Sequence, residues 1–147
     1  VLKRVPQKGY TFVNYDNTDD ETIQAIRFAL EYEAVKKAIK FVDWKDIVCL
    51  TLIVEDMHKY LQACDWNSFY NSDMEFHRSI IAASHDNMLV RMYAFLTIPV
   101  FCRESIVTEK MINTYNEHFK LLTAIKDKNW PVAESAICHH FGKTPLT

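Results

Sequence analysis

Only two glycines and four prolines occur among the 147 residues. That scarcity constrains the fold more than any single motif does. A chain built of strands needs turn residues between nearly every pair, and this chain lacks them. Long helices with short connections need far fewer. The length suits one domain with a full-sized core. Apolar residues make up 49% and charged residues 24%, an ordinary globular balance. A net charge of -2 gives no global reason to expect nucleic acid or an anionic membrane as partner. There is no secretory signal and no apolar run long enough to span a bilayer. Cys49, Cys64, Cys102 and Cys138 are widely spaced and fall in apolar helical patterns. They read as reduced, small hydrophobes of a cytoplasmic protein. The chain opens on Val1, so it reads as a fragment or a processed product.

Residues 1–14 differ from the rest. β-branched and aromatic residues flank Pro6-Gln7-Lys8-Gly9, which predicts a β-hairpin. Lys3, Arg4 and Lys8 make it basic and could touch phosphate, although a solvated hairpin is the plainer reading. A hairpin alone is marginal in water, so it belongs to something larger upstream. A polar linker over 15–20 follows. The rest, 21–147, reads as a helical domain. The first helix is expected from about Asp19 to Phe41, with Ile23, Ile26, Leu30, Ala34, Ala38 and Phe41 inward. Arg27 and Glu31 flank that stripe one turn apart. The second starts at the cap Asp43 and runs to about Cys64, with Ile47, Leu50, Val54, Met57 and Leu61 inward. The third spans about Ser68 to Ser84. Asn87 caps a fourth, Met88 to Arg103, in which Pro99 predicts a kink or an early end. The fifth covers Glu109 to Lys126. The sixth opens on the cap Asn129 with Pro131 in its first turn, and stops at Gly142.

One stripe is not purely apolar. Asp73 and His77 are four residues apart, so a helix puts them on one face, beside Phe69, Phe76, Ile80 and Ile81. His118 and His140 occupy inward positions of the fifth and sixth helices. Buried polar groups need partners. One inward histidine is more often a core residue bonded to a carbonyl, and Asp73–His77 alone could be a helical ion pair. Three imidazoles and one carboxylate together suit a divalent ion such as Zn²⁺, Ni²⁺ or Fe²⁺. His139 is adjacent, but a one-residue shift turns it about 100° off the stripe. The doublet His85-Asp86 reads as a capping turn, and His58 as an ordinary helix residue.

Several of these stretches together resemble the ligand-binding domain of FadR-type GntR transcriptional regulators. They are Asp73-Met74-Glu75-Phe76-His77, the turn from Ala82 to Asn87, Glu117 to Ile125, and His140 placed 22 residues after His118. Arg27-Phe28-Ala29-Leu30-Glu31 matches that family's first helix. The resemblance covers about residues 19–142. It implies an all-α antiparallel bundle of about six helices around a ligand cavity, preceded here by the short β-hairpin. The hairpin is similar to the wing that ends the family's DNA-binding domain, which is mostly absent from this chain. In metal-containing members an Asp and three His hold a divalent ion at the cavity floor, and small organic acids complete the coordination. Asp73, His77, His118 and His140 fall on that pattern. Arg27 is the candidate to pair an effector carboxylate, and an internal pair with Glu31 is its other reading. The turn reads Ser84-His85-Asp86-Asn87 where the family usually has Gly before the Asn, which bears on turn geometry. The aromatic load predicts a small or partly filled cavity.

The expected function follows. The chain would be the organic-acid-sensing and dimerising domain of a bacterial regulator, without catalysis. Its partners would be a small carboxylate, a second copy, and operator DNA through the DNA-binding domain; no membrane is implied. The alternative is a helical-bundle metalloenzyme, hydrolytic or redox, which would need a general base near a metal-bound water.

Overall fold

The computed structural model describes residues 2–5, 9–12, 17–96 and 108–145, with side chains described over 21–96 and 109–145. Two short strands, β1 (Leu2–Val5) and β2 (Gly9–Phe12), pair antiparallel with Leu2 opposite Phe12. The side chains of Lys3, Arg4 and Lys8 lie outside the described residues. Six helices follow among the described residues: α1 (Asn17–Phe41), α2 (Trp44–Gln62), α3 (Trp66–Ala83), α4 (Asn87–Ala94), α5 (Thr108–Lys126) and α6 (Trp130–His140). No helix among them is long and apolar enough to cross a membrane.

Helix starts follow local chemistry. Asp43 accepts from the Lys45 and Asp46 amides, and Asp46 returns a carboxylate to the Asp43 amide, which completes a capping box. Asn129 caps α6 ahead of Pro131, as the sequence predicts. Three starts differ from expectation. α1 begins at Asn17, inside the stretch expected as a linker. α3 is capped by Asp65, whose carboxylate takes the Ser68 amide, so Ser68 lies inside the helix. α4 is capped by Asp86, not Asn87, because the Asp86 carboxylate reaches the Met88 and Leu89 amides. α4 also ends at Ala94, short of the expected Arg103; Pro99 and Cys102 lie outside the described residues.

Helix ends show how a chain with so little glycine makes tight turns. Cys64, His85 and Lys128 adopt positive φ of 55°, 53° and 52°, and only Gly142, at 64°, does so without a side-chain penalty. Each non-glycine residue costs roughly 1–2 kcal/mol there. The turns offset this by joining elements directly. Asp65 bonds back to the Tyr60 carbonyl, closing α2, and then caps α3. Asn129 bonds back to Ala124 and then caps α6. His85 lies in the turn between α3 and α4, before the cap Asp86. It takes the left-handed conformation itself, and its Nε2 lies 2.7 Å from Asp46 Oδ2.

Short turns place α2 beside α3 and α5 beside α6. α1 packs against α3 and α6, α2 against α3 and α5, and α5 against α6. Leu50, Phe76, Ile80, Ile125 and Ile137 are fully buried between them. The α1 stripe is narrower than its periodicity predicts. Leu30, Ala34 and Ala38 are buried and Ile23 is half-buried, but Ile26 and Phe41 are exposed. Cys138 is buried as expected, whereas Cys49 and Cys64 are exposed. Cys64 lies beyond the α2 end, in the turn.

Ile80 is wholly buried in the shared core. Ile80→Ala is expected to cost about 3 kcal/mol through lost burial and the residual cavity. Urea denaturation followed by far-ultraviolet circular dichroism measures this; a loss below about 1 kcal/mol would mean the core relaxes around the gap.

Candidate metal centre

Three helices carry the four polar residues to one point. α3 supplies Asp73 and His77 through their one-turn spacing, α5 supplies His118 and α6 supplies His140. His77 and His118 are buried, while His140 and Asp73 keep a small exposed fraction. The Nε2 atoms of His77 and His140 are 3.3 Å apart. Asp73 Oδ1 is 3.7 Å from His77 Nε2 and 3.5 Å from His118 Nε2. Ligand nitrogens of all three histidines lie within 4.8 Å of one another. Donors about 2.1 Å from a tetrahedral ion stand about 3.4 Å apart, so these spacings are close to those of a coordination shell.

The protons bear on what such a cluster could hold. His77 Nδ1 lies 2.5 Å from Glu31 Oε2, and His140 Nδ1 lies 2.7 Å from Glu117 Oε2. An ionised carboxylate only accepts, so each Nδ1 carries a hydrogen and each ring turns its Nε2 inward. The two Nε2 atoms then face each other beside the Asp73 oxygen. Asp73 Oδ1 and both nitrogens of His118 are buried without a hydrogen-bond partner. A cation in that space satisfies the inward-facing atoms together. Alternatively a second proton does part of the work. Burial disfavours charge on His77, yet the Glu31 and Asp73 carboxylates outweigh it and raise its pKa to about 9. Burial opposes ionisation of Asp73 as well, but the nearby imidazoles, His77 foremost, hold its carboxyl well below the usual range. His118 is pushed well below its ordinary value by burial, so it stays neutral with a lone pair to offer.

Two supporting carboxylates carry this arrangement. Glu31, noted in the sequence only as a flank of α1, is fully buried. It accepts from His77, from Tyr93 Oη at 2.7 Å, and from Arg27 Nη2 at 3.2 Å. Glu117 sits beside His118 in the chain but serves His140 on the next helix. Sequence reasoning passed over Glu117 and Tyr93 as site residues. A carboxylate one position from an inward histidine was the only signal for Glu117, and nothing local marked Tyr93. His139 is mostly exposed, so His140 is the inward member of that pair.

Arg27 reconciles both of its expected readings. One edge of its guanidinium, Nε and Nη2, pairs with Glu31, and the ring of Phe141 lies 5.6 Å from its Cζ. The same residue lines an open cavity of about 660 Å³ together with Asp73, His77, His140, Gln24 and Lys143. The aromatic load of the chain does not fill this space; Phe141 is the one aromatic in its lining.

Known proteins bear on this arrangement. The FCD domain model matches residues 22–143. The comparison with curated proteins returns no match. Among solved structures, E. coli McbR/YncC superposes with a TM-score of 0.86 at 20% identity, covering 96% of this chain and 69% of that one. The Listeria monocytogenes protein Lar, described as controlling expression of the agr system and mediating virulence, gives a TM-score of 0.76 at 15% identity, with 96% and 69% covered. Streptococcus agalactiae GntR gives 0.70 at 15% identity, with 96% and 72% covered. At these identities the structures speak for the fold, and the match across most of the chain speaks for the family. The chain belongs to the FCD domain family, the ligand-binding C-terminal domain of GntR-type transcriptional regulators.

Proposed function

We propose that the chain is the metal-dependent sensing domain of a bacterial transcriptional regulator. A divalent ion (Zn²⁺, Ni²⁺ or Fe²⁺) is held by Asp73, His77, His118 and His140, and a small organic carboxylate binds the ion and Arg27. The observation that carries this reading is the convergence of four ligand-type side chains: His77 and His140 Nε2 at 3.3 Å, beside the orphaned Asp73 Oδ1 and His118 Nε2. The cavity supports the ligand half, because it reaches three of the four ligands and Arg27. A guanidinium paired along one edge keeps its other edge for a planar carboxylate. The strand pair at the start fits the wing of the DNA-binding domain, with Lys3, Arg4 and Lys8 near phosphate. Residues 15–20 then connect it to a dimerising domain over 21–147, and ligand binding shifts the spacing of two DNA-binding domains. Hydrolysis has less support. Glu31 and Glu117 each hold a histidine N–H, so neither is free to act as a base.

Elemental analysis of the purified chain is expected to find one divalent ion per chain, with a chelator lowering the thermal midpoint. His118→Ala should lose the ion, and added Zn²⁺ or Ni²⁺ should not restore it. An ion-free chain with no response to chelator or added metal would sink the reading.

Glu117→Gln tests the supporting carboxylates. It should weaken ion affinity by about ten- to hundredfold in a chelator competition, because His140 loses the group that sets its tautomer. Unchanged affinity would mean the ring is held by packing alone. Arg27→Gln should keep the ion and abolish the thermal shift produced by small carboxylates. A shift that survives in this variant would remove Arg27 from the ligand site.

A further inference from the structure

The donors around the buried Glu31 carboxylate do not share it evenly. Oε2 takes the His77 ring at 2.5 Å. Oε1 takes two partners. The Tyr93 hydroxyl, arriving from α4, lies 2.7 Å away. Arg27 Nε and Nη2 lie 3.3 Å and 3.2 Å from the same oxygen. A strong guanidinium–carboxylate pair sets one nitrogen against each oxygen, at about 2.7–2.9 Å. Arg27 has neither that spacing nor the second oxygen, which His77 occupies. It is the loosest of the three partners, and it stands beside the open cavity.

Tyr93 decides what that looseness permits. A buried carboxylate oxygen stripped of its donors is strongly disfavoured. With Arg27 as the sole donor on Oε1, a ligand that drew the guanidinium toward the cavity would strand a buried charge. With Tyr93 in place, Oε1 keeps a short hydrogen bond whatever Arg27 does. Tyr93 is buried, and burial together with the Glu31 charge pushes its pKa up, so the hydroxyl keeps its hydrogen to donate. α4 has other anchors. Leu89 is buried from the same helix, and Lys37 of α1 pairs with the cap Asp86 at its start.

We propose that Tyr93 is a positioning residue of the ligand site: by holding Glu31 Oε1, its hydroxyl leaves the Arg27 guanidinium free to turn to a carboxylate in the cavity. Tyr93 lies outside the cavity lining, so it acts through Glu31 and Arg27 and not by touching the ligand. The inference rests on the assignment of Arg27 to the ligand carboxylate, and is independent of the ion.

Titration of the purified chain with acetate, succinate and citrate tests it, followed by proton–nitrogen NMR, with ion content measured on the same samples. Tyr93→Phe keeps the ring and removes the hydroxyl. It should weaken carboxylate binding about tenfold, the usual effect of leaving a buried acceptor short of a donor. Ion content should not change, because His77 keeps Glu31 Oε2. The Arg27 Nε–H signal, displaced by carboxylate in the wild type, should respond less in the variant. Leu89→Ala loosens α4 by packing alone; it should lower the thermal midpoint and leave carboxylate affinity unchanged. Undiminished binding in Tyr93→Phe, alongside lost binding in Arg27→Gln, would overturn this inference and leave the ligand reading standing. An equal loss in Leu89→Ala would mean that Tyr93 acts through helix packing, and loss of the ion in Tyr93→Phe that it serves His77; either overturns the proposal. A wild type without carboxylate response, or a response that survives Arg27→Gln, would sink the ligand reading and this inference with it.

Discussion

The Glu31 carboxylate is the interaction on which the rest of the structure depends. It is fully buried on α1, where an unpaired charge would be untenable. Three donors hold it there: His77 from α3, Tyr93 from α4 and Arg27 one turn back on α1. Burial pushes its pKa upward, but His77, Arg27 and Tyr93 outweigh that, so the carboxylate stays ionised. One side chain thus ties three helices together and fixes the proton on His77. It is both a packing device and the group that decides what His77 presents to the proposed ion. Glu117 repeats the logic for His140, at a more exposed position.

The bundle places this chemistry at an edge of the core. α3 and α5 bring buried rings in from one side, with Phe76 packed on His118 at 4.4 Å between ring centroids. α6 closes the other side and ends immediately after His140, at Phe141. The Gly142 turn then directs the chain back, with the Lys143 amide bonded to the Cys138 carbonyl. The four side chains are therefore held by packed helices while the space beside them stays open. Tight packing alone would have closed it.

Much of the inward-facing pattern was legible in the sequence. Asp73, His77, His118 and His140 each fall on an apolar stripe, and helical periodicity reports the direction of a side chain without knowing its neighbours. The cap residues Asp43 and Asn129 were legible for a similar reason, since capping is settled within a few residues. The starts of α3 and α4 were not. Asp65, Ser68, Asp86 and Asn87 are all competent caps, and which one serves depends on the left-handed turns just before them. Those turns use Cys64 and His85, where no glycine marks the spot.

What the sequence determined by itself is periodic and local: helices rather than strands, the inward direction of four ligand-type side chains, and a family resemblance built on their spacing. The tertiary structure decided which of these groups meet and with what partners. Glu31 to His77 spans 46 residues, Glu31 to Tyr93 spans 62, and His77 to His140 spans 63. No local propensity encodes contacts at such separations, because they arise only when the helices pack. The hydrogen on each Nδ1 of His77 and His140 follows from those contacts, and so does the inward direction of each Nε2. That is why the four ligand-type residues could be named from the chain, while the way two carboxylates orient His77 and His140 could not.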